Sequence, residues 1–395
     1  MLLHRDLHVG HEPLLDCHYY AAAECRSCTL ITTPQDVQLA RKQARAEELI
    51  LAAQWLPPHA SAREVFRNKV KLAVSGTPGS PRLGIIDHDG VGHDLRECPL
   101  PTPGIQEATP ALAQFVAECG FSPYNPRTNT GELKFIIITE SPDGELMVRF
   151  VAKRRGIQGM LFKKLARLRE LVPAARVISL NVQPERKAII EGPEEIVISD
   201  DDVLPMRLQV AGQELELLLR PQSFFQTNTD GAETLYTRAV EWLAETSTAW
   251  DLYCGVGGFA LALAARGVDV VGVETQEQAV AAAQAAAERL RDVAGTQVNA
   301  QFIAADATEW ARAQAGAQGR LPDAIVVNPP RRGIGAELAG WLNDAGPATV
   351  LYSSCNAASL AADLARMPAY GVVKAQVVDM FPHTRHFEVI ALLER

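Results

Sequence analysis
The chain has 395 residues, 47% of them hydrophobic and 22% charged, with a formal net charge of −9. That length predicts two or three units, each with its own core, and the composition is that of a globular protein with no apolar run long enough to cross a bilayer. The acidic balance argues against a chain that coats nucleic acid indiscriminately, and the opening MLLHRDLHVGHEP lacks the apolar core of a signal peptide. A cytoplasmic monomer with no membrane or DNA partner is the resulting expectation.

In chain order, residues 1–30 carry Cys17, Cys25 and Cys28 and little periodic pattern, which suits a small element organised by a metal rather than by a core. Residues 31–60 form a second stretch, dominated by a helix predicted over 34–56. It starts at Pro34, has Val37, Leu39, Ala40, Ala44, Leu49, Ile50 and Ala53 as its apolar side, and stops at Pro57-Pro58. From 61 to 222, short apolar runs such as KLAVSG, RLGIID, RVISLNVQ and QELELLL are broken by Gly, Pro and Asp. SPDG between KFIIITE and ELMVRFVA is a hairpin signal, so this unit reads as sheet-rich α+β. Over 223–395, strand-like DLYCG, DVVGVE, FIAAD, AIVVNPP and TVLYSSC alternate with helix-like segments, including an Ala-rich one near 276–290. That alternation is the βαβα pattern of a doubly wound, Rossmann-like α/β sheet.

Two basic stretches stand out against the net negative charge. One is Lys153, Arg154, Arg155, Lys163, Lys164, Arg167 and Arg169; the other is Arg63, Arg67, Lys69 and Lys71. Charge alone reads them first as a solvated helix face and second as a surface for phosphates.

DLYCGVGGF, with Gly255, Gly257 and Gly258, follows a strand and opens a helix, where glycines let the backbone approach a nucleotide-like ligand. The spacing departs from GxGxxG, and so fits S-adenosylmethionine, which has no pyrophosphate, better than a dinucleotide. Glu274 ends the next strand, placed to accept hydrogen bonds from ribose hydroxyls, and Asp306 ends FIAAD near the expected adenine. Asn328 begins NPPRR at the end of the following strand. Its prolines make a stiff corner, and Arg331 and Arg332 stand where an amino-directed methyltransferase carries a stacking aromatic. Cys355, in SSCN, ends the next strand on the same edge. A strand-end cysteine is either a small apolar filler or a nucleophile, and the shared edge and polar neighbours favour the nucleophile. Glu388, in PHTRHFE, is the candidate general base, with His383 and His386 as alternatives.

Cys17, Cys25 and Cys28, joined by Cys98, make a four-thiol set that suits either zinc or an iron-sulfur cluster. Cys254 and Cys119 have no assigned role.

Taken in order, the cysteine set, SFFQTN with Gln226, DLYCGVGGF, Glu274, NPPRRGIG, SSCN and the terminal HFE resemble the S-adenosylmethionine-dependent RNA uracil-carbon-5 methyltransferases over nearly the whole chain. The resemblance implies a Rossmann-like methyltransferase domain over 223–395, a central RNA-binding α+β domain over 61–222, and a 31–60 helix packed on the catalytic domain. It further implies a [4Fe-4S] cluster on Cys17, Cys25, Cys28 and Cys98, cofactor contacts from Gln226, Tyr253, Glu274 and Asn328, Cys355 as nucleophile and Glu388 as base. Two departures narrow the branch. There is no room for an N-terminal β-barrel before Cys17, and Asn328 replaces an aspartate found in several branches. Both match the branch acting on uracil 747 of 23S rRNA, while the missing barrel also fits the transfer-RNA branch. Rival readings are a cytosine-carbon-5 enzyme, which would place a further cysteine beside the NPPR proline, and a non-enzymatic RNA-binding or assembly factor.

Overall fold
A computed structural model describes residues 14–186, 189–294, 298–318 and 321–395; the MLLHRDLHVGHEP part of the expected cysteine element lies outside them. After a single helical turn, α1 (His18–Ala21), comes α2 (Gln35–Leu49), followed by a strand, β1 (Ala52–Trp55). The predicted helix over 34–56 therefore ends seven residues early. No local stop signal precedes Pro57, but the edge of another strand, Gly371–Val378, offers unpaired backbone, and β1 adds to it in parallel with Ala52 opposite Val372.

The side that α2 buries is also not the expected apolar one. Gln38, Lys42 and Ala46, spaced at i, i+4 and i+8, face inward, and Ala40 is exposed. The polar pair is satisfied by the loop between the last two strands of the chain. Lys42 Nζ donates to Asp379 Oδ1 at 2.5 Å and to the Phe381 carbonyl at 3.1 Å. Gln38 Oε1 accepts from the His383 backbone N–H at 2.9 Å, and its Nε2 donates to the carbonyls of Leu30 and Thr33.

The middle of the chain builds a seven-stranded sheet from β2 (Lys69–Thr77), β3 (Ser80–Ile86), β4 (Gly92–Asp94), β5 (Leu133–Glu140), β6 (Leu146–Ala152), β7 (Ala175–Val182) and β8 (Glu194–Val197). Its order is β4-β3-β2-β5-β6-β7-β8, and only β6 and β7 run parallel. SPDG makes the expected tight turn between β5 and β6, with Gly144 at φ 80° and its N–H on the Ser141 carbonyl. Against one face pack α3 (Pro103–Cys119), opened by Pro103 and closed by Gly120 in the left-handed region, and the short α4 (Gln158–Lys163) and α5 (Leu165–Leu171). A two-stranded hairpin, β9 (Leu204–Val210) with β10 (Gln213–Leu219), follows. Although inside the 61–222 unit of the sequence reading, it shares a hydrophobic cluster with the helices of the last unit.

That last unit alternates α6 (Thr229–Trp242), β11 (Thr248–Leu252), α7 (Gly258–Ala264), β12 (Asp269–Glu274), α8 (Glu277–Ala294), β13 (Ala300–Ala304), α9 (Ala307–Gln318), β14 (Ala324–Val327), α10 (Gly335–Ala345), β15 (Thr349–Ser354), α11 (Ala357–Leu364), β16 (Gly371–Val378) and β17 (Glu388–Glu394). The eight-stranded sheet runs β1-β16-β17-β15-β14-β11-β12-β13, parallel throughout except for β17. Helices cover both faces, so the inner strands are apolar along their length, as in AIVV of β14. This is the predicted α/β methyltransferase-type sheet. Among the described residues no helix is long and apolar enough to cross a membrane.

Lys42 and Asp379 are almost wholly buried, so removing one leaves the other charge without a partner in a dry setting. Lys42→Met is expected to destabilise the fold by about 3–5 kcal/mol in urea unfolding, and Lys42→Met with Asp379→Leu is expected to recover most of that loss. Equal stability of the single variant and the parent would show that the pair does not anchor α2.

Candidate active site at the carboxyl edge of the large sheet
The parallel strands β11, β12, β13, β14 and β15 all end on one edge, and the crevice above such an edge is where open α/β sheets bind ligands. β11 leads into Tyr253, a non-glycine residue held at φ 67°, then Gly255 at 55° and Gly257 at 87°. A left-handed tyrosine costs about 1–3 kcal/mol and persists where the surroundings over-determine it. The glycines are required sterically as well: a Cβ on Gly258 would stand 2.2 Å from the Tyr236 hydroxyl.

Glu274, the last residue of β12, closes this turn. Its Oε2 accepts from the Gly255 N–H at 3.3 Å, and its Oε1 accepts from the N–H groups of Thr275 and Gln276 at 2.8 and 3.0 Å. Asp306, just past β13, uses Oδ1 to cap α9, accepting from Thr308 and Glu309 N–H. Neither acid is ion-paired among the described residues. Asn328 follows β14 and is half-buried on the same edge. Gln226 lies in the segment entering α6, buried, with its carbonyl accepting from Asn68 Nδ2 of the central unit at 3.2 Å.

Cys355 follows β15 directly and is half-buried. Asn356 caps α11 with its side-chain oxygen and donates through Nδ2 to the Arg331 carbonyl at 3.1 Å, tying the SSCN corner to the NPPR corner. The RRGIG turn is held in turn by Asp363. This buried carboxylate accepts from the Ile334 N–H at 2.9 Å and the Tyr352 hydroxyl at 2.8 Å, and no sequence pattern singled it out.

Glu388 reaches Cys355 through strand register. β17 is antiparallel to β15, with Ser354 opposite Val389, so Cys355 and Glu388 are the next pair outward. Glu388 is buried and its Oε2 has no hydrogen-bond partner. Burial pushes its carboxyl up to about 8, opposed by the Arg331 guanidinium. Burial also pushes the Cys355 thiol above its ordinary value, Glu388 adds to that, and Arg331 opposes it by charge and by a side-chain hydrogen bond. The alternative bases separate from this pair. His383 is buried under α2, with Nε2 2.8 Å from the Arg63 carbonyl and Nδ1 facing Gln38, so its ring is committed to structure. His386 lines the cavity above Cys355.

That cavity, about 580 Å³, is lined by Cys355 and Asn356, by α2 and by residues 385–387. The contribution of α2 was not visible in the sequence. A cavity of about 770 Å³ also opens at the opposite, amino edge of the sheet, around Thr248, Asp269 and Leu321, away from every residue named above.

The four thiols of Cys17, Cys25, Cys28 and Cys98 are brought together elsewhere, around a small cavity beside a satellite core of Leu15, Ile31, Phe66 and Leu100. Burial, and then Cys98, Cys25 and Cys17 in turn, push the Cys28 thiol up to about 12. Among the described residues, no group of three or more His, Cys, Asp or Glu side chains is arranged to hold a single metal ion.

The model of the tRNA (uracil-5-)-methyltransferase family matches residues 174–395. The chain is 41% identical over 96% of its length, and 99% of the relative's, to the 23S rRNA (uracil(747)-C(5))-methyltransferase RlmC of Yersinia pestis (strain Pestoides F), with the same figures for that of Yersinia pseudotuberculosis serotype I (strain IP32953). Among solved structures it is similar to the Pyrococcus abyssi tRNA (uracil-54, C5)-methyltransferase in complex with S-adenosyl-L-homocysteine. The TM-score is 0.76 and the identity 28%, over 93% of this chain and 85% of that one. A family model over more than half the chain and relatives alike from end to end place this chain in the family of S-adenosylmethionine-dependent RNA (uracil-5-)-methyltransferases, and it is an enzyme of that class.

Proposed function
We propose that the chain methylates carbon 5 of a uridine in 23S rRNA, in the cytoplasm, by covalent addition of Cys355 to carbon 6. The observation that carries this reading is the convergence of Cys355, Arg331 and Glu388 on the edge that also bears the glycine turn. The end-to-end likeness to 23S rRNA enzymes favours ribosomal over transfer RNA, although the family description and the archaeal structure keep a tRNA uridine as the second reading.

Carbon 5 of uracil is a weak nucleophile, so a thiolate has to raise its electron density first. In the proposed sequence the Cys355 thiolate forms a bond to carbon 6, and the carbon 5–carbon 6 π pair moves to give an enolate whose oxygen charge faces Arg331. S-adenosylmethionine supplies an electrophilic methyl on sulfonium. Carbon 5 forms the new bond to that methyl as the methyl–sulfur bond breaks. Glu388 then takes the carbon 5 proton, the electron pair reforms the double bond, and Cys355 leaves as thiolate. Glu274 and Asp306, carboxylates without cationic partners among the described residues, flank the glycine turn and suit a ligand that is cationic and carries ribose hydroxyls. We assign cofactor contacts to these two with Gln226, Tyr253, Gly255 and Asn328.

The four-cysteine set fits a [4Fe-4S] cluster on the chemistry of its donors. Four thiols around one small cavity are the donor set that an iron-sulfur cluster takes, and zinc is the alternative for the same set. The methylation itself is redox-neutral, so the cluster would organise the residues around it rather than pass electrons. In this division of the chain, residues 1–30 with Cys98 form the cluster element, 61–222 the RNA-binding unit and 223–395 the catalytic domain.

Incubation of the protein with total RNA and labelled cofactor is expected to yield 5-methyluridine in 23S rRNA, and Cys355→Ala is expected to abolish it; retained methylation by that variant would remove the covalent mechanism. Because the base form of Glu388 and the thiolate of Cys355 both gain population as pH rises, kcat/KM should climb from about pH 7, with a step near 8 for Glu388 and a further rise at higher pH as the Cys355 thiol ionises. A flat profile would show that neither group limits the reaction. Glu388→Gln should stop after methyl transfer and accumulate an RNA–protein adduct. Anaerobic purification should give about four irons per chain with broad visible absorption, lost in Cys98→Ser; a colourless zinc protein would overturn the cluster.

A further inference from the structure
We infer that the mouth of the active-site cavity is a phosphate-binding rim, built by Arg41 of α2 together with Arg385, which grips the RNA backbone beside the target nucleotide. The inference rests on the RNA-methylating reading above and deepens it by naming the surface that receives the strand.

The lining of the cavity beside Cys355 carries Arg41, Lys42, Arg45 and Arg385 and no carboxylate. In a chain of net charge −9 this is a concentrated exception. The cations are not equivalent. Lys42 is buried and neutralised by Asp379, and Arg45 lies against Glu48 on its own helix, 2.5 Å away. Arg41 and Arg385 are exposed and carry no ion pair among the described residues. Arg41 and Arg45 are four residues apart, so they project from one face of α2, and Arg385 lines the same cavity.

The basic stretches read from the sequence are, by contrast, largely spent within the fold. Arg154 pairs with Glu132 at 2.8 Å, Arg155 with Glu194, Arg167 with Glu118 at 2.9 Å, Arg169 with Asp200 at 3.1 Å and Lys71 with Glu191 at 3.1 Å. Lys69 is half-buried, and desolvation pushes its ammonium down to about 8. Exposed pairs are weak individually, but each carboxylate cancels the local field that a phosphate would feel. Lys153 and Lys163 of that stretch carry no ion pair among the described residues, so the cavity is one of the places where positive charge is left uncancelled, and the one beside Cys355. A cysteine lining such a cavity reaches a base only when that base leaves its stack, and a flipped nucleotide brings its two flanking phosphates to the rim of the pocket it enters. Arg41 and Arg385, exposed and lining that cavity, are placed to meet that backbone.

The test is binding and turnover of a 23S rRNA fragment by Arg41→Ala and by Arg385→Ala, with the folded state checked by thermal melting and by binding of S-adenosylhomocysteine. Expected are a rise of about 10-fold or more in Kd and KM for RNA, kcat at saturating RNA within about twofold of the parent, and a salt slope of log Kd shallower by about 1 for each arginine that holds a phosphate. Unchanged Kd and salt slope would overturn the rim, as would a loss confined to kcat. The same would follow if Lys163→Ala/Lys164→Ala in the central unit reproduced the entire effect. Binding is measured independently of catalysis, so a parent protein that binds RNA through these arginines but makes no 5-methyluridine would defeat the methylation reading and leave the rim standing.

Discussion

One antiparallel strand sets the geometry of the proposed active site. In a sheet whose other strands are parallel, every strand delivers its last residues to the ligand edge and its first residues to the opposite edge. β17 reverses that rule: it enters between β15 and β16 from the ligand edge, so its first residue, Glu388, lies level with the residue that follows β15, Cys355. A nucleophile at a strand end and an acid at a strand start can be neighbours on adjacent strands only with this polarity. Because the pairing continues from Ser354 opposite Val389 to Thr349 opposite Glu394, the distance between the two groups is fixed by backbone hydrogen bonds rather than by side-chain choice.

The loop that makes this reversal possible, between β16 and β17, has few local means of holding its shape. Its anchors come from the other end of the chain. Asp379 meets Lys42, His383 is bracketed by Gln38, the Arg63 carbonyl and the Leu30 N–H, and His383 itself sits at φ 64°. Leu30 lies two residues beyond Cys28, so the cysteine element, α2 and the approach to Glu388 share one hydrogen-bonded junction. Whatever fixes the four cysteines therefore also stiffens the path to the catalytic edge, which gives a redox-neutral enzyme a physical use for a rigid N-terminal element. Lys42 and Gln38 also show that polar burial here serves position: each has partners at nearly every donor, whereas a leucine in either place would leave the loop's charge and amides unanswered.

These long-range ties explain what the sequence could and could not reveal. The alternating unit after Phe225 was legible because buried parallel strands print continuous apolar runs, and because glycines, acids and the cysteine stand at successive strand ends. The strand β1 was not legible. LAAQW has no local signal against helix, and its conformation is decided by the open edge of β16, more than three hundred residues away. The buried face of α2 was hidden for the same reason, since Lys42 reads as a solvated residue until Asp379, 337 positions on, is beside it. The basic stretch of the central unit misleads in the opposite direction. Its neutralising acids, Glu118, Glu132, Glu194 and Asp200, are scattered in sequence and adjacent only in space. Local patterns report strands and turns well, and report fields poorly, because a field is a sum over neighbours the sequence does not order.

The site separates two tasks that both call for positive charge. Arg41 and Arg385 stand in water at the cavity mouth, where salt screens them within about 10 Å, which is adequate for gripping a polyanion and too weak to alter a proton equilibrium at Cys355. Arg331 acts on both Cys355 and Glu388, and burial has already driven those two groups toward their protonated forms. Raising both makes the thiolate a better nucleophile and the carboxylate a better base whenever they are ionised, but lowers the fraction that is. The Arg331 guanidinium opposes both shifts, and in the covalent mechanism proposed above its charge would remain available when the thiolate's electrons have moved onto the ring. Placing the same arginine at the rim would satisfy phosphate and forfeit this effect. The NPPR corner, held by Asn356 and by the Asp363-anchored turn behind it, fixes the backbone from which the exposed Arg331 side chain extends toward Cys355 and Glu388.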